Sequence, residues 1–500
     1  MWFSNLRQRL PELLPALTIW FTFIILIGLS FWQPLWAIYF VIIFSVYWII
    51  RLFYMMIWLT ISWVKFRQHR QIDWLAKVQA LAATGTDYKN YYHVVTFPTY
   101  KEPYEVIERS FEALLATDYP KDRFIVVLGG EARDEENFRS IAERIQAKYH
   151  DKFFKLLTTV HPPAPDELPG KGSNVHYMET QLKPLIDELQ IPYERVIVSC
   201  FDIETLPARE YFSYLTYAYL THPKPTRVSY QPLVLYNNNI WESNPLIRVV
   251  ASATTFWLLT DLSRPEKLLT FSSHSMSFQM LVDVGFHDKT IVTEDSRICL
   301  QGLVRYNGDY GVVPMFTTVS MDTVYIGKLG QSLRNQYKQM RRWAWGVEHF
   351  PWLWKQFFSA ERNRAIPIRV RVRYFWNQFE GMYSWATAPL LILIFGRLPL
   401  WLADSGEKST ALFQNAPQTL ETLMLIGMIG LIVNAIMYTF MLPPKPAEYH
   451  WYNYLVMIAQ WVVFPITMII FGSIPAIESQ SRLFLGGKYR LGFWVTEKKI

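Results

Sequence analysis

Residues 195–207 read RVIVSCFDIETLP. RVIVSCFD (195–202) reads as a short, largely apolar run, the pattern of a strand buried on both faces, as in a mostly parallel sheet. The run passes at once into Asp202 and Glu204, one residue apart. In parallel sheets ligands bind just beyond the carboxyl ends of the strands, so this carboxylate pair stands where chemistry is expected. Two hard-oxygen groups on a short turn can hold Mg2+ or Mn2+ against a diphosphate. Equally, Asp202 can cap a turn and Glu204 can be a solvated side chain.

The neighbouring sequence repeats the alternation. YYHVVTFPTY (91–100) and RFIVVLGG (123–130) read as strands, and EVIERSFEALLAT (105–117) and DEENFRSIAERIQAKYH (134–150) carry helical spacing. Strand–helix–strand order predicts an α/β domain with a mostly parallel sheet covered on both faces. ELPGKGSN (167–174) reads as a Gly-rich loop whose Lys171 could approach a phosphate. It lacks the spacing of a P-loop, and an ordinary turn is the other reading. In IVTEDSRICLQ (291–301), Glu294 and Asp295 precede a helical stretch, and Asp295 can be a helix cap or a general base.

Apolar blocks flank this domain. The chain has 500 residues, 51% apolar and 16% aromatic. Residues 13–32 carry no charge, enough to cross about 30 Å of hydrocarbon as a helix. Stretch 35–64 is interrupted by Arg51 alone, and 382–403, 422–442 and 451–477 follow later. The chain reads as an integral membrane protein with two N-terminal spans and about three C-terminal ones, and the first block is too long for a cleaved signal. Arg7 and Arg9 precede the first span, and Lys65, Arg67 and Arg70 follow the second, which predicts a cytoplasmic N-terminus and a cytoplasmic central domain. Three later spans would put the tail outside, yet Arg482, Lys488, Arg490, Lys498 and Lys499 argue for the inside. One apolar run therefore lies in the interface or one crossing is missed, with 382–403 the weakest span and 451–477 next. Cys200 and Cys299 suit a reducing compartment. The net charge of +7 gathers near the spans, which fits membrane lipid and excludes nucleic acid as the expected partner.

QMRRWAWGVEHFPWLW (339–354) combines cations with indoles. Taken in order, Asp202-x-Glu204, Thr293-Glu294-Asp295 and Gln339-Met340-Arg341-Arg342-Trp343 resemble the D-x-D, T-E-D and Q-x-x-R-W series of the family 2 membrane glycosyltransferases, among them cellulose, chitin and hyaluronan synthases. The resemblance covers about residues 90–350. It implies a GT-A-type, Rossmann-like domain and inverting transfer of a sugar from a cytosolic nucleotide-sugar, UDP by default, to a growing β-linked glycan.

By the same resemblance Asp202 and Glu204 hold Mg2+ or Mn2+, and Glu294 and Asp295 are the catalytic carboxylates, Asp295 the base. Thr99 and Glu102 of PTYKEP, with Lys171 and Arg342, meet the donor, while Gln339 and Trp343 meet the acceptor. The family's D-D-G-S turn is replaced by GGEARD, with Gly129 and Gly130 at the aspartate positions and Glu131 and Asp134 the nearest carboxylates. TFSSHSMSF (270–278) stands where the family often has a Gly-rich acceptor segment, and its His274 can be structural. Trp352 and Trp354 read as anchors of an interfacial helix, and Trp345 as either wall or anchor.

The expected layout is 1–64 two spans, 65–350 the transferase domain, 351–373 an interfacial helix region, 374–478 spans or interfacial helices, and 479–500 a basic tail, in a plasma or inner membrane. Partners would be the donor, a glycan or lipid-linked acceptor, membrane lipid and an export partner of unknown kind. Two alternatives stand: single-sugar transfer to a lipid carrier, and a non-catalytic transporter or scaffold with a degenerate nucleotide domain. No zinc-ligand spacing is visible.

Overall fold

The computed structural model describes residues 2–83, 85, 87–403 and 409–492. Lys498 and Lys499 of the basic tail lie outside the described residues. Two long helices open the chain, α1 (Trp2–Trp32) and α2 (Pro34–His69), followed by short α3 (Trp74–Ala82). The central domain then alternates: β1 (Tyr92–Pro98), α4 (Tyr104–Leu115), β2 (Phe124–Glu131), α5 (Glu135–Tyr149), β3 (Lys155–His161), α6 (Lys171–Glu188) and β4 (Val196–Cys200). Next come β5 (Leu206–Pro207), α7 (Tyr211–Thr221), β6 (Val228–Tyr236), α8 (Pro245–Leu262), β7 (His274–Ser277), α9 (Phe278–Val284), α10 (Glu294–Arg305) and β8 (Gly311–Met321). The C-terminal part holds α11 (Leu329–Ala344), α12 (His349–Phe358), α13 (Ile368–Leu393), α14 (Leu398–Leu402) and α15 (Ala411–Thr439), and ends with the broken helix α16 (Asn453–Leu485).

One eight-stranded sheet runs β3-β2-β1-β4-β7-β6-β8-β5. β1 pairs in parallel with β2 and β4, β2 with β3, and β6 with β8. β7 is antiparallel to both β4 and β6, and short β5 to β8. β6 and β8 therefore point the same way as β4, and the sheet is mixed but mostly parallel. Its central strands are wholly buried, as in Phe124–Leu128 and Val196–Val198, which is why they read as continuous apolar runs. β7 escapes a sequence reading because its serine-rich HSMS run carries little strand propensity; its serines pair inside the sheet, as Ser199 with Ser275 at 2.7 Å.

Among the described residues four helices are long and apolar enough to cross a membrane, α1 from Arg9, α2, α15 and α16, and α13 with the short helix after it makes a further candidate bent by 43°. Phe21, Ile24 and Phe31 of α1 and Ile43 and Ile50 of α2 are exposed, as side chains facing hydrocarbon would be. α2 has 36 residues, about 54 Å at 1.5 Å per residue. That exceeds a bilayer core, so its C-terminal part reaches the α/β domain, where Ser62 Oγ donates to Ser263 Oγ at 2.7 Å. The expected boundary at residue 64 thus falls inside α2.

α16 differs from a simple span. Near its start Met457 is buried in the core cluster shared with the α/β domain, and Trp241 Nε1 donates to Pro443 O at 3.2 Å just upstream. Near its end Tyr337 donates to Glu478 at 2.7 Å and Arg9 to Phe484 O at 2.6 Å. Both ends therefore pack on the side where the domain and the start of α1 lie. Gln460–Val463 and Met468–Ser473 leave α-helical geometry through 3-10 and π turns, on either side of an α turn containing Pro465, which removes a backbone donor from the ladder. The expected boundary at 478 lies within this helix.

Candidate active site

The carboxyl ends of the strands converge on one cavity of about 960 Å³, lined by Thr99 and Glu102 after β1, Glu131 of β2, Asp202 and Glu204 after β4, and Tyr236 of β6. Lys171, Glu294, Asp295, Gln339, Arg342 and Trp343 line the same cavity. Every site residue expected from the sequence is thus brought to one place.

Lys171 is the first residue of α6 rather than part of a loop, because Gly170 ends the turn. Its Nζ lies 2.7 Å from Asp202, 2.9 Å from Asp295 and 3.3 Å from Glu294. Burial alone would pull its pKa down, but Asp202, Asp295 and Glu294 together hold it well above the ordinary lysine value. Asp202 Oδ2 also accepts from Ser272 Oγ at 2.6 Å. Glu294 is pushed up to about 7, first by burial and then by the charge of Asp295. Both residues occupy the first turn of α10, whose N-cap is Thr293, so neither is the cap. The backbone there is tied down by Glu348, which accepts from Thr293 Oγ1 at 2.6 Å.

At the carboxyl ends of the strands Asp202, Glu204, Glu294 and Asp295 gather around Lys171 and Arg342. These hard oxygens fit a divalent cation of the Mg2+ or Mn2+ type, with Asp202 and Glu204, one residue apart on the turn after β4, to hold it.

The Gln339–Trp354 stretch divides by helical rotation. Arg341 points away from the cavity and pairs with Glu478 of α16 at 2.8 Å, whereas Arg342, one residue on, lines the cavity. Trp343 packs between Tyr236 and Phe271, with ring centroids 5.8 and 5.5 Å away. Gln339 Oε1 accepts from Gln336 at 3.3 Å. Trp345 is buried, and its Nε1 donates to Glu348 at 2.9 Å, so it braces the fold instead of lining the site. Trp352 lies under the Arg297 guanidinium at 4.6 Å, and Trp354 packs on Phe358 and Phe375 at 5.6 and 5.8 Å; both rings join α12 to its protein neighbours.

On the opposite wall Thr99 Oγ1 donates to Glu102 at 2.7 Å, and the Tyr100 amide donates to the same carboxylate at 2.5 Å. Glu131 pairs with Arg133, whose guanidinium covers Tyr100 at 4.5 Å. The departure at Gly129 and Gly130 has a steric basis. A Cβ would lie 2.3 Å from Met178 Sδ at Gly129 and 2.2 Å from the Phe138 ring at Gly130, so α5 and α6 press on the strand where the family pattern has aspartates.

Behind Asp295 stands a buried group. His274 Nδ1 donates to Phe271 O at 3.0 Å and lies 4.0 Å from Asp295; burial lowers its pKa to about 4. His287 donates from Nδ1 to Glu179 at 2.8 Å, and with Cys200 these form a metal-capable trio within 4.8 Å. No sequence spacing announces that trio, since its members come from α6, β4 and the loop before α10. Tyr236 was likewise missed. It lies deep in the site, and burial and the nearby Asp202 and Glu204 raise its pKa well above the usual phenol value. Its signal was available: it is the last residue of a buried strand.

Carboxylates, a lysine, an arginine and an indole thus gather around one cleft at the carboxyl ends of a mixed, mostly parallel sheet. The chain belongs to glycosyl transferase family group 2, whose family model matches residues 197–470, more than half its length. No curated protein sequence matches it. Among solved structures it is similar to a mannosyltransferase from Pyrobaculum calidifontis in complex with GDP-Man and Mn2+, at 14% identity and a TM-score of 0.40, over 68% of this chain and 86% of that one. It is also similar to S. aureus TarS 1–349, at 12% identity and a TM-score of 0.34, over 67% and 90%. The same fragment in complex with UDP-GlcNAc gives 13% identity and 0.32, over 71% and 93%.

Proposed function

We propose that this membrane glycosyltransferase moves a sugar, with inversion, from a cytosolic nucleotide-sugar, UDP by default, to a hydroxyl of a growing β-linked glycan. The observation that carries the reading is the meeting of Asp202, Lys171, Asp295, Arg342 and Trp343 in one cavity. The acceptor O–H attacks C1 of the donor sugar as the C1–O bond to the diphosphate breaks. Asp295 takes the proton, and the nucleoside diphosphate leaves with the bonding pair. Arg342 and Lys171 answer the developing negative charge. A divalent cation on Asp202 and Glu204, when bound, supplies further charge neutralisation at the diphosphate. Thr99 and Glu102 meet the nucleotide, Gln339 and Trp343 the acceptor, where a flat indole suits the apolar face of a pyranose. Glu294, buried beside Asp295, keeps the base in place. The domain faces the cytoplasm of a plasma or inner membrane.

A second reading, one sugar added to a lipid carrier, is favoured by the apolar walls of the membrane half of the cavity. The test is a panel of nucleotide-sugars given to the protein in nanodiscs. Release of nucleoside diphosphate with at least one donor, present with Mg2+ or Mn2+ and lost with chelator, is expected. Silence with every donor, while a flux assay responds, would favour the transporter reading instead.

A further inference from the structure

The cavity does not end at the α/β domain. It continues between α2, α13, α15 and α16, past Leu52, Met55, Ile392, Met424 and Gly427. Its walls there are mostly aliphatic or thioether, with the rings of Trp48, Trp385, Trp461 and Phe471 among them. A sugar polymer threading them would give up hydrogen bonds to water with few replacements, at about 1–3 kcal/mol for each unsatisfied polar group. A hydrocarbon chain loses nothing there and gains dispersion contacts. The cavity also opens sideways: Met428 and Val462 line it and are 50% and 76% exposed, more than an inner wall alone allows. An axial glycan channel needs no such lateral slot, whereas a molecule arriving from the bilayer does.

The same cavity holds a second feature. Arg51 of α2 pairs with Glu380 of α13 and lies 3.3 Å from Ser384 Oγ. Lys267 reaches the same Glu380 at 3.6 Å, and Arg264 pairs with Asp261 at 3.1 Å. All three cations line the cavity. Arg264 also lies 3.6 Å from Glu266, and Lys267 is held below the ordinary lysine value by burial and then by Arg264 and Arg51, against the opposing charges of Asp261 and Glu266.

We infer that the acceptor is lipid-linked: its hydrocarbon tail lies in the slot between α2, α13, α15 and α16, its anionic phosphate linker meets Arg51, Arg264 and Lys267, and its terminal sugar hydroxyl reaches Asp295. This rests on the transfer reaction proposed above and fixes only how the acceptor is presented; the bond-making step is unchanged.

The experiment supplies the full-length protein in nanodiscs with radiolabelled donor and either a polyprenyl-diphosphate-linked sugar, a neutral alkyl glycoside of the same sugar, or the free oligosaccharide. Label should enter the organic phase with the first acceptor at least tenfold faster than with the other two. Gly427→Trp, whose side chain would grow into open space, should raise the KM for the lipid acceptor at least tenfold. Thermal protection by the nucleoside diphosphate checks that the variant is folded. Lys267→Ala should narrow the preference for the diphosphate-linked acceptor over the alkyl glycoside. Equal use of the free oligosaccharide, or a Gly427→Trp protein that is protected by nucleotide and keeps a normal KM, would overturn the inference and leave the transferase reading intact. No transfer to any acceptor with any donor would instead count against the transferase reading itself.

Discussion

Glu294 and Asp295 are neighbours in the chain with different surroundings: their side chains are 4% and 24% exposed. In the proposed reaction the second, the more open, meets the acceptor hydroxyl, and the first, pushed up to about 7 by burial and the charge of Asp295, braces it. That division was not legible from the dipeptide, because burial is set by α6 and α10 packing together. Gly129 and Gly130 show the reverse case. Their difference from the family pattern was plain in the sequence, but its cause, the approach of Met178 and Phe138, needed the fold. Gly130→Asp should therefore not restore a family feature. It should lower stability by about 1–3 kcal/mol or more through overpacking, read as a fall in the thermal midpoint of the purified protein. An unchanged midpoint would mean that α5 yields easily.

At the scale of elements, α11 separates chemistry from assembly within one turn. Successive residues project about 100° apart on a helix of 3.6 residues per turn. Arg341 consequently holds α16 through Glu478 while Arg342 enters the cavity. Arg342→Ala should reduce the transfer rate about 10²–10³-fold with a smaller change in donor affinity. Arg341→Ala should leave the rate close to normal and cost under about 1 kcal/mol of stability, as a partly exposed ion pair does. Steady-state kinetics on both variants checks the split, and equal losses would contradict it. β1, α4, β2, α5 and β4 were readable because their apolar runs are continuous and their helices amphipathic, whereas β3 was not, being a half-exposed strand at the edge of the sheet. β7 and α6 were not, since serines and a Pro-containing helix hide both periods.

For the whole molecule, the basic tail turns on how many times the chain crosses the membrane. Both ends of α16 pack near the α/β domain and the start of α1, so we propose that α1, α2, bent α13–α14 and α15 cross, that α16 lies in the interface, and that the tail returns to the side of the N-terminus. Lys488→Cys should react with an impermeant thiol reagent from the side of the α/β domain, and Gln33→Cys from the opposite side. Labelling of both from one side would refute this topology. The account as a whole stands on Asp295 accepting a proton within a cleft that binds the donor independently. The direct measurement is donor binding and transfer rate, side by side, for Asp295→Asn in nanodiscs. Binding near the wild-type value with transfer reduced about 10²–10⁴-fold is the expected result; transfer that survives the substitution would contradict it.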